Sequence, residues 1–367
     1  MQRVRVQLVD PSAYTPPYDH GLAGGLARAG ADVELVTSRY PWDQAPAPDG
    51  YRVSEDFYRL AMRRDLPQPV RRVLKLAEHV PDMLAHRRRA GGADVRHYQW
   101  LPLEGLDALL LPREPPSVLT LHNVRRRGAG RREAARTRRL AARMDALVVH
   151  SRDAATQLRD RFGADPGRVH QIPHGALDYL TRLPERDVPD TDSPVVLWFG
   201  TVRAYKGVDT LLEAFREVEG AELWIVGKPE IPMGPLHALA RQARGRVRFV
   251  ERFVPDPELA SYIRRADLVA LPYHNIDQSG VLFSALAFGK PIVMSAVGGF
   301  PEVAEDHGAA RLVPPQDAAA LAEALRELLA DAGARQGLGE AVSRAAAGPY
   351  SWDRIGRQTL DLYESLL

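Results

Sequence analysis

The chain contains no cysteine, and this absence removes two classes of site at once. Disulfide frameworks and thiolate-ligated metal centres both require cysteine. Long apolar runs are missing too, since no stretch of the sequence reaches the roughly 20 residues that a membrane-spanning helix needs. Near the start, Arg3 and Arg5 interrupt the apolar residues where the hydrophobic segment of a signal peptide would lie. We therefore expect a cytoplasmic protein.

Two common ligand-binding motifs are missing as well. The strand predicted at residues 3–9 leads into DPSAYTPPY rather than G-x-G-x-x-G, which argues against a dinucleotide-dependent enzyme. Asp190 and Asp192 have the Asp-x-Asp spacing of a metal motif, but they lie in a polar, proline-containing stretch where solvated carboxylates are the simpler interpretation. We expect neither a bound cofactor nor a metal ion.

The composition is that of a globular protein with room for two domains. The 367 residues are 45% hydrophobic and 26% charged, and a chain of this length is long enough to form two domains. Short apolar strands alternate with helical patterns, which predicts parallel sheets covered by helices on both faces. Residues 183–194 are polar and rich in proline, so they form the best candidate linker.

The predicted fold class is α/β, with two Rossmann-like parallel-sheet domains that face a cleft. Residues 1–183 form the first domain, residues 184–350 form the second, and an amphipathic helix occupies residues 351–367. Within the first domain, residues 10–18 are predicted to be a loop and residues 41–68 to be irregular. Ligands of such sheets bind beyond the carboxyl ends of the strands, so the candidate site residues should lie there.

The net charge of +2 conceals a difference between the two halves. Residues 1–190 contain 31 Arg and Lys against 24 Asp and Glu, which leaves 18 against 23 for the remainder. An anionic partner fits the basic half, such as a phospholipid membrane surface or a phosphorylated acceptor. A solvated face is the alternative, and the pattern gives no support to nucleic-acid binding. Within residues 125–143, helical spacing places four arginines on one face: Arg132, Arg136, Arg139 and Arg143.

One stretch of the second domain has the features of an anion site. Residues 277–299 read as a loop, a helix, a strand and a glycine turn, and Asp277 and Ser279 are both suitable N-caps. Gly280 has no Cβ, so a ligand can approach the backbone, and the first N–H groups of the helix would face an anion. A packing helix with a good cap is the competing interpretation.

A pair of cations precedes another helix of this domain. The loop GTVRAYKG at residues 200–207 carries Arg203 and Lys206. An arginine and a lysine so placed can clamp a diphosphate, the first by its forked guanidinium and the second as a point charge. A solvated loop is the alternative, and the position at the carboxyl end of a strand favours the ligand.

These stretches occur in an order that resembles a known family. FGTVRAYKGVDTLLEAF, ELWIVGKPE and RFVPDPELASYIRRADLVALPYHNIDQSGVLFSALAFGKPIVMSAVGGFPEVAE look like the donor domain of family-4 retaining glycosyltransferases of GT-B fold. The resemblance runs from about residue 195 to residue 305, and TLHN, HSRDAATQL and VHQIPHGA extend it in outline to the first half. It implies that the second domain binds a nucleotide-sugar donor, and that the final helix returns to the first domain.

The resemblance also assigns roles to residues of the second domain. Lys206 matches the donor-phosphate lysine, and Arg203 stands two places beyond the usual arginine position, which is Thr201 here. Asp277 falls on the first glutamate of an E-x₇-E motif and would hold donor-sugar hydroxyls. The phosphate seat and the base contact fall on Gln278, Ser279, Gly280, Val281, Leu282 and Phe253.

Ser284 replaces the second glutamate of that motif, which usually holds both ribose hydroxyls. A serine can satisfy one hydroxyl at most. This favours a dTDP-sugar as the donor, whereas a UDP- or GDP-sugar would need another contact for its ribose.

In the first domain, His122 matches a histidine that lies near the donor sugar in the family. The usual glycine pair after the first strand is missing. Further residues could line the acceptor side, with packing inside the domain as the alternative for each: Tyr14, Tyr18, His97, Trp100 and His174.

We therefore expect a metal-independent retaining glycosyltransferase. It would move a sugar from a nucleoside-diphosphate sugar to a glycolipid, a polysaccharide or a small molecule. Its catalytic residues would be His122, Arg203, Lys206 and Asp277. The alternative is a non-catalytic protein of the same fold that binds a sugar nucleotide or a partner enzyme.

Overall fold

A computed structural model describes residues 3–40, 45–63, 66–89, 92–124 and 131–367, with only the backbone described at 131–133. The chain forms two compact units. The first consists of Met1–Gly175 and Tyr350–Leu367, and the second of Ala176–Pro349. Each unit is built on one parallel sheet, so the predicted α/β class with two parallel-sheet domains is confirmed.

The described part of the first unit contains a seven-stranded sheet in the order β3-β2-β1-β4-β5-β6-β7. The order reverses between β1 and β4, so the carboxyl ends of these two strands flank the position where open α/β sheets bind ligands. The strands are β1 (Arg5–Asp10), β2 (Asp32–Ser38), β3 (Arg52–Phe57), β4 (Val95–Tyr98), β5 (Ser117–Thr120), β6 (Ala146–Val149) and β7 (Val169–Gln171).

Helices cover both faces of this sheet, as buried strands on both sides require. The interior strands β4, β5 and β6 are buried along their whole length. The helices are α1 (Pro16–Ala29), α2 (Gln68–Arg89), α3 (Glu104–Leu110), α4 (Arg131–Ala141), α5 (Arg152–Phe162) and α13 (Trp352–Leu366).

The structure corrects two predictions for this unit. The loop predicted over residues 10–18 is shorter, because α1 begins at Pro16; proline suits the first helical turn, where its missing N–H costs nothing. The irregular segment predicted over residues 41–68 contains β3, an edge strand with mostly polar residues. Residues 41–44, 64 and 65 of that segment lie outside the described part of the chain.

The final helix belongs to the first unit, as predicted. Helix α13 packs along α1, and glycines allow the two backbones to touch. A Cβ added at Gly25 would lie 2.2 Å from the Trp352 carbonyl oxygen, and one added at Gly356 would lie 2.2 Å from the carbonyl carbon of Gly25. An alanine at either position would force the two helices apart.

The second unit contains a six-stranded sheet in the order β10-β9-β8-β11-β12-β13. Its strands are β8 (Val195–Phe199), β9 (Glu222–Val226), β10 (Arg246–Val250), β11 (Leu268–Leu271), β12 (Ile292–Ser295) and β13 (Arg311–Val313). Its helices are α6 (Val208–Ala214), α7 (Gly234–Ala240), α8 (Asp256–Arg265), α9 (Gly280–Ala287), α10 (Phe300–Glu305), α11 (Ala318–Ala330) and α12 (Ala332–Ala347). The order reverses between β8 and β11, and the loops after these strands carry the candidate donor residues.

Candidate active site

Gly200 is the point at which two parts of the second unit meet. It follows β8 with φ of 115°, a conformation that side chains other than glycine rarely adopt. A Cβ added there would lie 3.0 Å from the Lys206 ammonium nitrogen and 3.2 Å from Cγ2 of Val281. The loop after β8, the lysine and the first turn of α9 are therefore neighbours.

The Lys206 side chain is nine-tenths buried within this arrangement, at 9% exposure. It belongs to a short 3-10 turn, Ala204–Lys206, that leads through Gly207 into α6. Its ammonium nitrogen lies 5.9 Å from the ring centre of Trp198 and 5.6 Å from that of Tyr273. These rings give the cation a favourable electrostatic environment.

The Arg203 side chain is held differently, by an ion pair. Its Nε atom donates to Oε2 of Glu230 at 2.7 Å, and both side chains are nearly half exposed. This hydrogen bond raises the pKa of Arg203 and lowers that of Glu230. The Lys228 and Lys206 charges also lower the pKa of the Glu230 carboxyl. The loop after β8 therefore carries a cation that is oriented by the loop after β9.

The first turn of α9 presents backbone donors to open space. Ser279 stands at the N-cap but makes no capping bond; its Oγ lies 3.4 Å from the Tyr273 hydroxyl. The Leu282 N–H donates to the Ser279 carbonyl at 3.0 Å. The N–H groups of Gly280 and Val281 have no acceptor among the described residues, and a Cβ added at Gly280 would meet nothing within 4 Å. An anion can approach both groups there.

Three of the remaining predicted donor residues, Asp277, Gln278 and Ser284, lie just before or within α9, whereas Phe253 follows β10. Asp277 is buried and Gln278 is half-buried. Ser284 is buried, and its hydroxyl donates to the Gly280 carbonyl at 2.9 Å. That hydroxyl can therefore offer a ribose only its acceptor lone pairs. Phe253 lies beyond β10 with 55% of its surface exposed, so its ring is available for stacking.

The first unit places an aromatic cluster at the carboxyl edge of its sheet. The Trp100 ring stacks on His122, with ring centres 4.8 Å apart and planes 10° from parallel. Tyr14, which is largely exposed, contacts the Trp100 ring at 4.6 Å. Tyr18 is buried and contacts both His122 and His174, at 4.7 and 4.9 Å. Four of the predicted acceptor-side residues therefore surround or extend the His122 site.

His97, by contrast, uses both of its ring nitrogens inside the unit. Nδ1 lies 2.7 Å from the Tyr363 hydroxyl of α13, and Nε2 lies 2.7 Å from the Thr120 hydroxyl. The His97 side chain, which projects from β4, therefore links β5 to the returning helix α13. His174 has its Nδ1 atom 2.7 Å from the Gly175 carbonyl oxygen.

A hydrogen-bonded pair fixes the protonation pattern of His122. The His150 Nδ1 atom lies 2.9 Å from the Ile172 carbonyl oxygen, which can only accept, so Nδ1 carries the proton. In neutral His150, Nε2 must then accept, and it lies 3.2 Å from Nδ1 of His122. His122 is therefore protonated on Nδ1, and its Nε2 is a bare acceptor. That atom is buried and has no protein partner in the described part of the chain.

All of these histidines are neutral near pH 7 because of their burial. Desolvation lowers the pKa of His97 and of His174 to about 3, and that of His150 to about 4. The pKa of His122 falls well below its usual value, mainly through burial and then through the other histidines. The cluster can accept hydrogen bonds but is a poor proton acceptor at neutral pH.

Sequence reasoning did not identify three residues of these sites. His150 forms a hydrogen bond with His122, which lies 28 positions earlier in the chain, and no local sequence pattern reveals this pairing. In the sequence, Tyr273 is simply an aromatic residue that follows a buried strand, and nothing marks it as part of the site. Glu230 lies in the quoted segment ELWIVGKPE, and its position just beyond β9 was the available signal.

Metal-binding clusters and membrane-spanning helices are both absent from the described residues. No group of three or more His, Asp or Glu side chains among them is arranged to hold a metal ion. No helix in the same part of the chain has the length and apolar character needed to cross a membrane.

Comparison with family profiles matches both units. Residues 193–331 match the profile for glycosyl transferases group 1, and residues 20–176 match the profile for glycosyltransferase family 4. Among solved structures, sucrose-phosphate synthase from Thermosynechococcus elongatus superimposes with a TM-score of 0.75 at 23% identity, covering 99% of both chains. Anabaena HepE in complex with UDP and glucose gives 0.73 at 16% identity, over 99% of this chain and 100% of that one.

Two curated relatives align over nearly the full length. The chain is 33% identical to the D-inositol 3-phosphate glycosyltransferase of Xylanimonas cellulosilytica, over 96% of this chain and 95% of that protein. It is 29% identical to the protein of the same name from Kineococcus radiotolerans, over 93% and 88%. The chain therefore belongs to glycosyltransferase family 4, and it is a glycosyltransferase of GT-B fold.

Proposed function

We propose that the protein transfers a sugar from a nucleoside-diphosphate sugar to an acceptor hydroxyl, with retention at the anomeric carbon. The observation that carries this proposal is the meeting of the Lys206 ammonium with Gly200 and the first turn of α9. A buried cation beside two unused backbone N–H groups is suited to an anion of high charge density. The diphosphate of a nucleotide sugar is such an anion.

In the proposed reaction, this anion site stabilises the leaving group. The bond from the anomeric carbon to the phosphate oxygen breaks, and negative charge develops on the diphosphate. Lys206, the Gly280 and Val281 N–H groups and the guanidinium of Arg203 would bind that charge more strongly as it develops. Preorganised groups of this kind account for a large share of enzymatic rate acceleration.

The acceptor proton needs a base, and the histidine cluster is poorly suited to that role. Burial holds the pKa of each of these histidines well below its usual value, so the unprotonated nitrogen of each neutral ring is a weak base. We assign the proton to an oxygen of the departing phosphate, on the same face that the acceptor oxygen attacks. The new bond then forms where the old one was, and the configuration is retained.

His122 would orient a substrate rather than react with it. Its bare Nε2 atom can accept a hydrogen bond from a sugar hydroxyl, and Trp100 stacked on the ring prevents the imidazole from turning. Asp277 would hold further hydroxyls of the donor sugar. Both roles are binding roles that favour one orientation of the anomeric carbon.

The proposal includes independence of divalent metal ions. Two side-chain cations and a helix N-terminus supply the positive charge that a metal would otherwise bring to a diphosphate. Activity should survive an excess of EDTA. Loss of turnover that Mg²⁺ or Mn²⁺ restores would contradict this part of the proposal.

Two binding measurements test the choice of donor. Thermal shift with UDP, GDP and dTDP, and with their glucose conjugates, should identify a donor, since a ligand that binds only the folded state raises apparent stability. The Ser284 contact predicts dTDP as the tightest. Calorimetry that gives UDP or GDP a tenfold lower Kd than dTDP would instead assign the ribose contact to another residue.

The product is then examined by NMR with the identified donor. D-Inositol 3-phosphate is the first acceptor to assay, because the curated relatives carry it in their name. An α-linked product from an α-linked donor supports retention, and a β-linked product excludes it. Failure of every nucleotide sugar to bind or to release free sugar slowly would overturn the proposed function.

A further inference from the structure

A separate cavity in the first unit lies between α1 and the ends of β2 and β3. Its volume is about 240 Å³, and its walls include Leu35, Val53 and the alanines and prolines at residues 45–48. Its polar lining comes from Asp19, His20, Thr37, Ser38, Tyr40 and Glu55. The cavity shares none of these residues with the His122 cluster.

Two residues that line this cavity each carry a buried polar atom with no partner in the described part of the chain. Oδ1 of Asp19 and Oγ of Ser38 make no hydrogen bond to any described residue, although their residues are 1% and 2% exposed. Leaving such groups unsatisfied is costly, so native structures rarely do so without water or a ligand. Thr37, the neighbour of Ser38, is satisfied by the Asp10 carbonyl at 2.8 Å.

The state of Asp19 decides what it can bind. Burial raises the pKa of Asp10 as well, but its carboxylate accepts the N–H groups of Ser12 at 3.0 Å and of Tyr14 at 2.5 Å, and these bonds oppose the rise. Burial, together with the Asp10 charge, raises the pKa of Asp19 well above its usual value. Asp19 is therefore the protonated partner and donates to Asp10. Its unpaired Oδ1 is a carbonyl-type acceptor.

The charges around the cavity exclude a phosphate. Neither lysine nor arginine occurs among the described residues that line it. Glu55 is an acidic residue exposed at the edge, and burial lowers the pKa of His20 to about 4, so that ring is neutral. An anion would meet one negative charge and no positive one. A ligand that offers hydroxyl groups would satisfy both unpaired atoms.

The size of the cavity limits the ligand to one ring. Its volume equals that of about eight water molecules in the liquid. Sites for drug-sized ligands are larger, at roughly 300–1,000 Å³. A single hexose or cyclitol ring is the class of polyol that fits.

We propose that this cavity binds one uncharged polyhydroxylated ring of the acceptor, which donates to Asp19 and exchanges a hydrogen bond with Ser38. The inference rests on the proposed function in one respect, that the polyol belongs to the acceptor. Binding of an uncharged ring would select the acceptor by a feature other than a phosphate group.

The position in the sheet makes this a distal subsite. Ser38 ends β2 and His122 follows β5, and the strand order β2-β1-β4-β5 separates them by three strand spacings. At about 4.8 Å each, this amounts to roughly 14 Å along the sheet edge. One ring cannot reach both places, so the ring in the cavity lies at least one unit beyond the hydroxyl that is glycosylated.

Saturation-transfer NMR on the full chain tests the site, with D-glucose and myo-inositol as probes and glucose 6-phosphate for comparison. Both neutral probes should receive saturation, and the phosphate should not displace them. Ser38→Ala should weaken binding about three- to tenfold by removing one hydrogen bond. Asp19→Asn should bind as the wild type does, because the amide N–H replaces the proton donated to Asp10 and the carbonyl is kept.

Ser365→Ala is the matched control, because this serine only donates to the Leu362 carbonyl in α13; it should bind like the wild type. Absence of transfer in the wild type would mean that water alone fills the cavity. Equal binding by Ser38→Ala, or tighter binding of glucose 6-phosphate, would also overturn the inference. Release of free sugar from a nucleotide sugar, measured separately, shows whether the proposed function itself has failed.

Discussion

Lys206 and Arg203 belong to one loop but are exposed to water to different extents. Lys206 is nine-tenths buried between two aromatic rings, whereas the Arg203 side chain is 47% exposed and paired with Glu230. A charge acts more strongly on a ligand where water is excluded. The lysine should therefore contribute more to stabilising the leaving diphosphate than the arginine does.

Lys206→Ala should lower kcat by about a hundredfold or more, and Arg203→Ala by a smaller factor. Steady-state turnover with the identified donor measures both. Arg244→Ala is the control, because Arg244 is another half-exposed arginine of the second unit paired with a glutamate; its turnover should match the wild type. Unchanged kcat in Lys206→Ala would place the diphosphate elsewhere.

His150 acts on the substrate only through His122. It holds the proton of His122 on Nδ1, so that Nε2 remains an acceptor. Without that partner, the tautomer with the proton on Nε2 becomes accessible, and it would meet a hydroxyl as a donor instead. The role is one of positioning, and its signature should differ from simple loss of stability.

His150→Phe should lower kcat/KM about tenfold, the cost of one misdirected hydrogen bond at a binding site. The wild-type profile should be flat between pH 6 and 8, since the pKa of His150 is about 4 and that of His122 is well below its usual value. ¹⁵N NMR of the His122 ring gives the direct readout: protonated Nδ1 in the wild type, and a tautomer mixture in the variant. A ring that keeps the same tautomer in His150→Phe would remove the positioning role.

At the scale of elements, the sequence predicted the interior of each sheet better than its edges. Strands such as β5 and β8 are wholly buried, so their apolar runs are unambiguous. Strand β3 reads Arg-Val-Ser-Glu-Asp-Phe, because an edge strand leaves most side chains at least partly in contact with water. The contact of Gly200 with Lys206 and Val281 could be expected from the family order. The bond from His150 to His122 could not, since only the fold brings β5 and β6 together.

Helix α4 presents exposed arginines, but fewer than helical spacing alone predicts. Arg143 lies beyond the end of the helix at Ala141, and its guanidinium donates to the carbonyls of Ala108 and Leu111. The side chain of Arg132 lies outside the described residues. Arg136 and Arg139 are exposed and one turn apart. Docking of this face on an anionic membrane stays a prediction.

Replacing Arg136 and Arg139 together by glutamine should weaken binding to phosphatidylserine vesicles about thirtyfold at low salt. Each charge near such a surface is worth about 1 kcal/mol, and two correspond to that factor. Vesicle co-sedimentation measures the effect. Replacing Arg159 and Arg161 of α5 in the same way controls for net charge, and equal weakening by both pairs would indicate diffuse attraction rather than docking by α4.

For the molecule as a whole, the two units should respond differently to acid. The first unit contains all the described histidines whose pKa burial lowers: His20, His86, His97, His122, His150, His170 and His174. In the unfolded chain these residues take up protons near pH 6.5. Between pH 6.5 and about 4 the unfolded state binds more protons than the folded state, so stability must fall as the pH falls.

Asp19 works in the opposite direction. Its raised pKa means that the folded state holds a proton that the unfolded state has lost, so this residue favours folding more as the pH decreases. Each fully shifted histidine lowers the free energy of unfolding by about 2 kcal/mol between pH 6.5 and pH 5. The raised pKa values of Asp19, Asp10 and Asp82 oppose part of this loss. The histidines outweigh these carboxyls, and the net effect is loss of stability in the first unit.

Hydrogen exchange at pH 7 and pH 5, corrected for the intrinsic rate, should therefore show protection falling in β4 and β5 more than in β8 and β9. Asp19→Asn removes the opposing contribution of this one residue, since an amide does not titrate, and it should make the loss in the first unit steeper. Replacing His20, whose pKa is about 4, by phenylalanine should make it shallower. Equal loss of protection in both sheets would mean that acid acts on the chain as one cooperative body, and that the histidines of the first unit do not set its response.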